Sequence, residues 1–399
     1  MKTDDSRSRP GREARGEEET MFRELRCALM RGGTSKGVFL DAADLPADED
    51  ERRRVILAVF GSPDRRQVNG LGGGDPLTSK LALIAPGGPE GADVTYTFGQ
   101  VELERAAIDY ASPCGNIVSA VGLHAVQRGL VRAATPFTPV RIFNTNLRRV
   151  ITVEVPVVDG RAVEAGDYAI PGVPGSGARI LVDFSDTAGA ASGALLPTGH
   201  VREEMAVPGL GTIEVSLVDI ANPHVIVRAA DFGLSGTESL EAIHSRPGLV
   251  EQLEQVRGEA AFRFGLVDDP AKARTESRVT PMVVIAGLPA PYRAAPDGRE
   301  IAAQEMDLAA RLIFLERVHP SYAATSIACT GVAARLPGSI AAEVVRAVAP
   351  GAPIRIGHPA GVVEAEAEVA HSNGAPRVTR AAFGRTARRI MEGVAYVDA

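Results

Sequence analysis

The chain has 399 residues, 45% hydrophobic and 23% charged, with a formal net charge of −7 and no tryptophan. That is ordinary globular composition, and the length suits two domains that each bury a core. The acidic balance disfavours nucleic acid and anionic membrane surfaces, while local arginines and helix N-termini can still hold a small anion.

Residues 1–20 are polar and lack apolar periodicity, so they read as a disordered tail, with Met21 a candidate start. The periodicity then predicts a helix over 48–60, a strand over 94–103 and a helix over 113–128. Strands follow at 139–145, 148–157, 178–184, 211–220 and 224–229, each rich in Val, Ile and Thr and bounded by Gly, Pro or Asn. Further helices are expected over 238–255, 301–315 and 325–336. Strands outnumber helices too heavily for a doubly wound sheet. The expected class is α+β, with curved, mostly antiparallel sheets around a few helices. Pro and Gly cluster at 167–200, which marks the boundary between halves.

Cys27, Cys114 and Cys329 are too far apart for a zinc site. There is no signal-peptide pattern and no 18-residue apolar run, so the expected location is the cytoplasm, with reduced thiols. In ASPCGN, Ser112 suits an N-cap and Pro113 the next position, which puts Cys114 in the first turn of a helix. A thiol there has a depressed pKa, unless it is simply a small buried packing residue. Thr325 or Ser326 could cap the later helix, leaving Cys329 one turn inside it. Cys114-Gly115-Asn116 and Cys329-Thr330-Gly331 form a faint echo, as if two similar halves each present a thiol.

Two glycine-rich stretches, 30–46 and 69–84, each carry Ser-Lys after glycines. Neither fits G-x-x-x-x-G-K-[ST], and Asp75 breaks G-x-G-x-x-G, so nucleotide binding is not expected. They read as loops with exposed lysines, or as anion cradles leading to a buried amine. Lys80 opens the apolar run LALIAP. Burial that lowered its pKa by about three units would cost roughly 4 kcal/mol and give a base usable near neutrality. Zincin, nucleophile-elbow and carboxylate-cluster patterns are absent, so no metal is expected.

Together RGGTSKGVFL (31–40), GLGGGDPLTSK (70–80), SPCGNIVSAVG (112–122), IPGVPGSGA (170–178), LLPTG (195–199), ANPHVIV (221–227), HPSYAATSIACTGVAARLPGS (319–339) and IRIGHPAGVVE (354–364) resemble the PrpF-like family of methylaconitate isomerases and oxalomesaconate tautomerases. The motifs stand in family order over nearly the whole chain after Met21. The resemblance implies a diaminopimelate-epimerase-like fold of two pseudo-symmetric domains, 21–185 and 186–385, with 386–399 returning to the first. Each is a curved sheet around a central helix, and the active site lies in the cleft between them. It further implies proton transfer on an unsaturated di- or tricarboxylate without cofactor or metal, with Lys80 and Cys114 as the acid–base pair.

Substrate contacts are expected from Arg31, Gly32, Gly33, Ser35, Ser79, Gly115, Asn116, His319, Cys329, Thr330 and Gly331. The expected partners are the polycarboxylate and a second copy of the chain. Two positions depart from the family pattern: Leu123-His124 replaces a common Pro-Phe, and His224 replaces an apolar residue. A two-cysteine epimerase using Cys114 and Cys329, and a non-catalytic carboxylate-binding protein, are the alternatives.

Overall fold

The computed structural model describes residues 22–111, 113–372 and 375–398. The expected tail over 1–20, Met21 and the expected cap Ser112 lie outside them.

One run of elements occurs twice. In the first half, Phe22–Gly32 and Ser35–Asp41 form a hairpin. Ser35–Asp41 pairs in parallel with Lys80–Pro86, which pairs antiparallel with Val94–Val101. Val94–Val101 pairs in parallel with Phe137–Asn144, and that strand pairs antiparallel with Arg149–Val158. Parallel neighbours need a crossover, and helices supply both: Glu49–Phe60 and Gly115–Gln127.

The second half repeats the plan. Gly211–Ile220 and Asn222–Arg228 form its hairpin, followed by Met282–Gly287 in parallel and Leu308–Phe314 antiparallel. Ile354–His358 then pairs in parallel with Leu308–Phe314, and Gly361–Ser372 antiparallel with Ile354–His358. Leu249–Arg263 and Ala324–Ala334 are its crossover helices.

The sheets join through Ile180–Asp183 and Ala375–Arg385, which pair with each other and carry the ladder from one half to the other. The last strand, Ala387–Asp398, pairs with Phe22–Gly32. Within Ala375–Arg385, residues 375–382 pair with the second half and 382–385 with Ile180–Asp183, so the ladder passes to the first half near Ala382. No helix among the described residues is long and apolar enough to cross a membrane.

Gly115–Gln127 and Ala324–Ala334 are the central helices. The second is buried at every position, and the first at all but His124 and Gln127. Helices apolar on all sides can only be core elements, and each is wrapped by its half's sheet. A glycine at the eighth position of each permits the approach. A Cβ on Gly122 would stand 2.5 Å from Val153, and one on Gly331 2.6 Å from Ala365.

Four expectations are corrected. Residues 301–315 hold the strand Leu308–Phe314 in place of a helix, because LAARLIF is buried on both faces between two strands and so loses the alternation that marks a half-exposed one. The helix over 238–255 is two helices, Leu240–His244 and Leu249–Arg263, separated by Ser245-Arg246-Pro247-Gly248. Cys114 is the N-cap itself, with extended backbone at φ −118° and ψ 102°, and helical geometry begins at Gly115. The later helix is likewise capped by Ala323, ahead of Thr325 and Ser326.

Candidate active site

A cavity of about 740 Å³ lies between the halves. The N-termini of both central helices open into it, lining it with Cys114, Gly115 and Asn116 from one and Ala323, Ala324 and Thr325 from the other. The ends nearly touch: a Cβ on Gly115 would lie 2.9 Å from that of Ala324. Neither N-cap side chain accepts a hydrogen bond from its helix. First-turn N–H groups from two directions are thus left for a ligand, and two positive helix ends favour an anion.

Lys80 enters from the first half and is 8% exposed. Its Nζ donates to Gln100 Oε1 at 2.9 Å and stands 5.2 Å from the centroid of the Phe98 ring. Gln100 is held in turn: its amide donates to the carbonyls of Pro76 and Ser79, both at 3.1 Å. This fixes the carbonyl end of Gln100 toward the amine. Lys80 and Gln100 face each other across the ladder, so the sheet register sets their meeting.

His319 comes from the second half. Burial and the nearby Lys80 charge push its pKa down to about 4, so it is neutral near pH 7. Its Nδ1 accepts from the Ser321 N–H at 3.1 Å, so the remaining proton sits on Nε2 as a donor. Ser35 also lines the cavity, 2% exposed, and its Oγ has no hydrogen-bond partner among the described residues. A buried hydroxyl without a partner is costly, and a bound carboxylate would satisfy it.

Sequence reasoning missed Gln100 and Arg385. The Arg385 guanidinium is buried, donates from Nε to Asn116 Oδ1 at 3.0 Å, and lies over the Phe383 ring. Burial lowers its pKa to about 10, still a cation at neutrality, and its charge reaches Cys114. A positive charge thus sits beneath the helix end that carries the thiol. The run FGRTARR holds several arginines and gives no sign of which one turns inward.

The other expected contacts stand elsewhere. Arg31 donates from Nη1 to the carbonyls of Gly33 and Thr386, which fastens the first hairpin to the returning chain. Gly32 and Gly33 press on that helix end: a Cβ on Gly32 would meet the Asn116 carbonyl oxygen at 2.5 Å, and Gly33 turns at φ +52°. Ser79 is fully buried and donates to Gln67 Oε1, which also accepts the Gly74 N–H. The second glycine stretch is thereby tied to Gln67 by side-chain bonds. Cys329, Thr330 and Gly331 lie within the second central helix, outside the cavity lining. Burial pushes the Cys329 thiol far up from its ordinary pKa, Thr330 shares a hydrogen bond with Tyr322, and Gly331 packs on the sheet.

The repeat shows which positions correspond. Lys80 opens its strand opposite Gly37, as Met282 opens its strand opposite His224. Cys114 and Ala323 are equivalent N-caps, and both pairs line the cavity. Gly331 matches Gly122, so Cys329 matches Ala120 and the echo of two thiols is out of register.

The model of the PrpF protein family matches residues 22–398. The chain belongs to this family. It is 45% identical over 372 residues to the 3-methylitaconate isomerase of Eubacterium barkeri, covering 93% of this chain and 97% of that one. It is 46% identical over 242 residues to the 4-oxalomesaconate tautomerase of Pseudomonas putida, covering 61% of this chain and 66% of that one. The crystal structure of methylitaconate-delta-isomerase superposes with a TM-score of 0.86 at 45% identity, covering 94% and 96% of the two chains. A hydroxyproline epimerase from Agrobacterium vitis matches at TM-score 0.54 and 14% identity over 94% and 92% of the chains, a likeness of fold alone. The PrpF-family chain is thus an isomerase with the epimerase-like two-half fold expected from its sequence.

Proposed function

We propose that this isomerase moves a proton along the allylic system of an unsaturated di- or tricarboxylate, with Lys80 and Cys114 exchanging the proton. The observation that carries the reading is that both side chains enter one cavity where two helix N-termini, neither capped by a side chain, converge. A C–H bond allylic to a carboxylate-bearing alkene is a weak acid, and its loss leaves a dienolate. Lys80 takes that proton. The double bond shifts by one carbon, and the Cys114 thiol delivers a proton to the far end. Transfer of a proton from the Lys80 ammonium to the thiolate then restores both groups. First-turn N–H groups, Ser35 Oγ and His319 Nε2–H receive the carboxylates and the developing charge.

Such a shift changes no oxidation state, so the reading needs no redox cofactor. The relatives' names point to substrates of the 3-methylitaconate or 4-oxalomesaconate type. The three free cysteines suit the reducing cytoplasm. A two-cysteine epimerase would place its second thiol at the cavity's other helix end, and Ala323 stands there.

Proton NMR in D₂O tests the proposal, with 3-methylitaconate, 2-methylaconitate and 4-oxalomesaconate as substrates. Wild type should shift the double bond of at least one with deuterium uptake, and Lys80→Ala should lose about 10²–10⁴ in rate. Full turnover by Lys80→Ala would remove the lysine from the chemistry. Folded wild type inert toward all three would favour a binding role.

A further inference from the structure

We infer that Arg278 and Arg317, both on the second half, hold the substrate carboxylate farthest from the reacting carbons and so select polycarboxylates. The inference rests on the isomerase reading above and adds a residue pair to it.

Rim charge is distributed unevenly. The first half contributes Glu102, Glu104, Arg105 and Asp109 to the cavity lining. These are occupied: Glu102 pairs with Arg105 at 2.8 Å, Glu104 with Arg65 at 2.9 Å, and Asp109 accepts the Ala111 N–H at 2.7 Å. The second half contributes Arg278 and Arg317, and among the described residues neither has a salt bridge or side-chain hydrogen bond. A polyanion entering this cleft meets carboxylates already engaged on one lip and two uncommitted guanidinium groups on the other.

Both arginines stand on segments built to hold them. Arg278 lies in the turn 277–280, whose Ser277 and Thr280 carbonyls accept from Arg257 Nη1. Arg257 is paired with Glu254, their side chains only 5% and 4% exposed, so a buried ion pair on Leu249–Arg263 clamps the turn. Arg317 follows a two-residue hairpin turn in which Leu315 and Glu316 both have positive φ, 51° and 57°. Such turns favour Asn-Gly, and non-glycine residues there are strained. The strain is retained in the turn that sets Leu315 and Arg317 on the cavity wall. A guanidinium matches a carboxylate in two parallel hydrogen bonds, which a lysine cannot reproduce.

The test is calorimetric binding of an unreactive acid, propane-1,2,3-tricarboxylate, beside butanedioate, which lacks the third carboxylate. Arg278→Ala and Arg317→Ala should each weaken tricarboxylate binding about tenfold, and the double variant about 100-fold, as loss of a charged hydrogen bond predicts. Arg→Lys at either site should fall between. Butanedioate affinity should stay within about threefold, the scatter expected of an exposed substitution. Unchanged tricarboxylate binding in the double variant would overturn the inference, as would equal losses for both acids or no tricarboxylate binding by folded wild type. Lys80→Ala should still bind the tricarboxylate while its turnover falls by about 10²–10⁴, so the binding assay judges the arginines and the NMR assay judges the chemistry.

Discussion

At matching positions of the repeat, Lys80 corresponds to Met282, Cys114 to Ala323 and Ser35 to Asn222. One step beyond the pair Val283 and Ile313, Phe314 stands opposite Met282, where Gln100 stands opposite Lys80. The first half thus presents an amine, the amide that pins it and a thiol. The second presents a thioether, a ring and a methyl at the same places. Backbone N–H groups come from both helix ends, because they depend on helix geometry alone. The helix-end N–H groups are therefore shared, while the amine and the thiol stand on one wall. A fold that places two thiols face to face would work symmetrically. This one has an amine and a thiol on one wall and neither at the matching places of the other.

The sharpest way to break that comparison is to move the thiol. Cys114→Ala should lower kcat/KM by about 10²–10⁴, the usual contribution of a positioned proton donor. Adding Ala323→Cys to that variant should restore nothing, since Lys80 has no counterpart on the second wall. Steady-state kinetics of the two variants decide, and recovery to within tenfold of wild type would mean that the walls are interchangeable.

A smaller effect is expected from loosening Lys80. Gln100→Leu removes the acceptor at 2.9 Å and leaves the amine beside the Phe98 ring without a fixed direction. The expected loss in kcat is about tenfold to 100-fold, from misplacement of the reacting group. Phe314→Leu at the matching position of the other wall should change kcat by less than about threefold, since it keeps an apolar side chain there and removes no polar contact. Equal losses in the two variants would show that the amide acts through packing.

Much of this was legible from the sequence, and the failures have physical causes. Val- and Ile-rich runs bounded by turn residues located six strands between residues 94 and 229, and none of those after Arg228. The ordered motifs led to the fold and to Lys80 at the mouth of an apolar strand. Gln100 and Arg385 were invisible because their roles come from long-range geometry. Gln100 meets Lys80 through cross-strand register, and Arg385 meets Asn116 across 269 residues of chain. The cysteine echo failed because matching residue letters aligned Cys114 with Cys329, whereas the shared sheet contact aligns Gly122 with Gly331. Leu308–Phe314 read as helix because full burial on both faces removes the period that separates strand from helix.

The halves should also differ in their response to acid. The fully buried histidines, His224 and His358, both belong to the second half. His224 is bonded through its ring nitrogens to the Asn222 carbonyl and Ser326 Oγ. Burial pushes its pKa down to about 4, and burial with the Arg311 charge pushes that of His358 to about 3. Unfolded histidine titrates near 6.5. Their stabilising effect is therefore complete above pH 6.5 and is lost as pH falls toward 4, because the unfolded chain takes up protons that the folded one refuses. By pH 5 the loss is about 2 kcal/mol for each. His319 in the second half and His124 in the first, both pushed down to about 4, add about 2 kcal/mol each. About 6 of a total of about 8 kcal/mol thus falls on the second half. Urea midpoints at pH 7 and pH 5 measure the total, and hydrogen exchange by peptide assigns it. Peptides across 308–372 should lose protection before those across 94–158. Simultaneous loss in both would show that the halves open as one unit. Earlier loss in the first half would overturn the assignment, because the buried neutral imidazoles would then not be what fails first in acid.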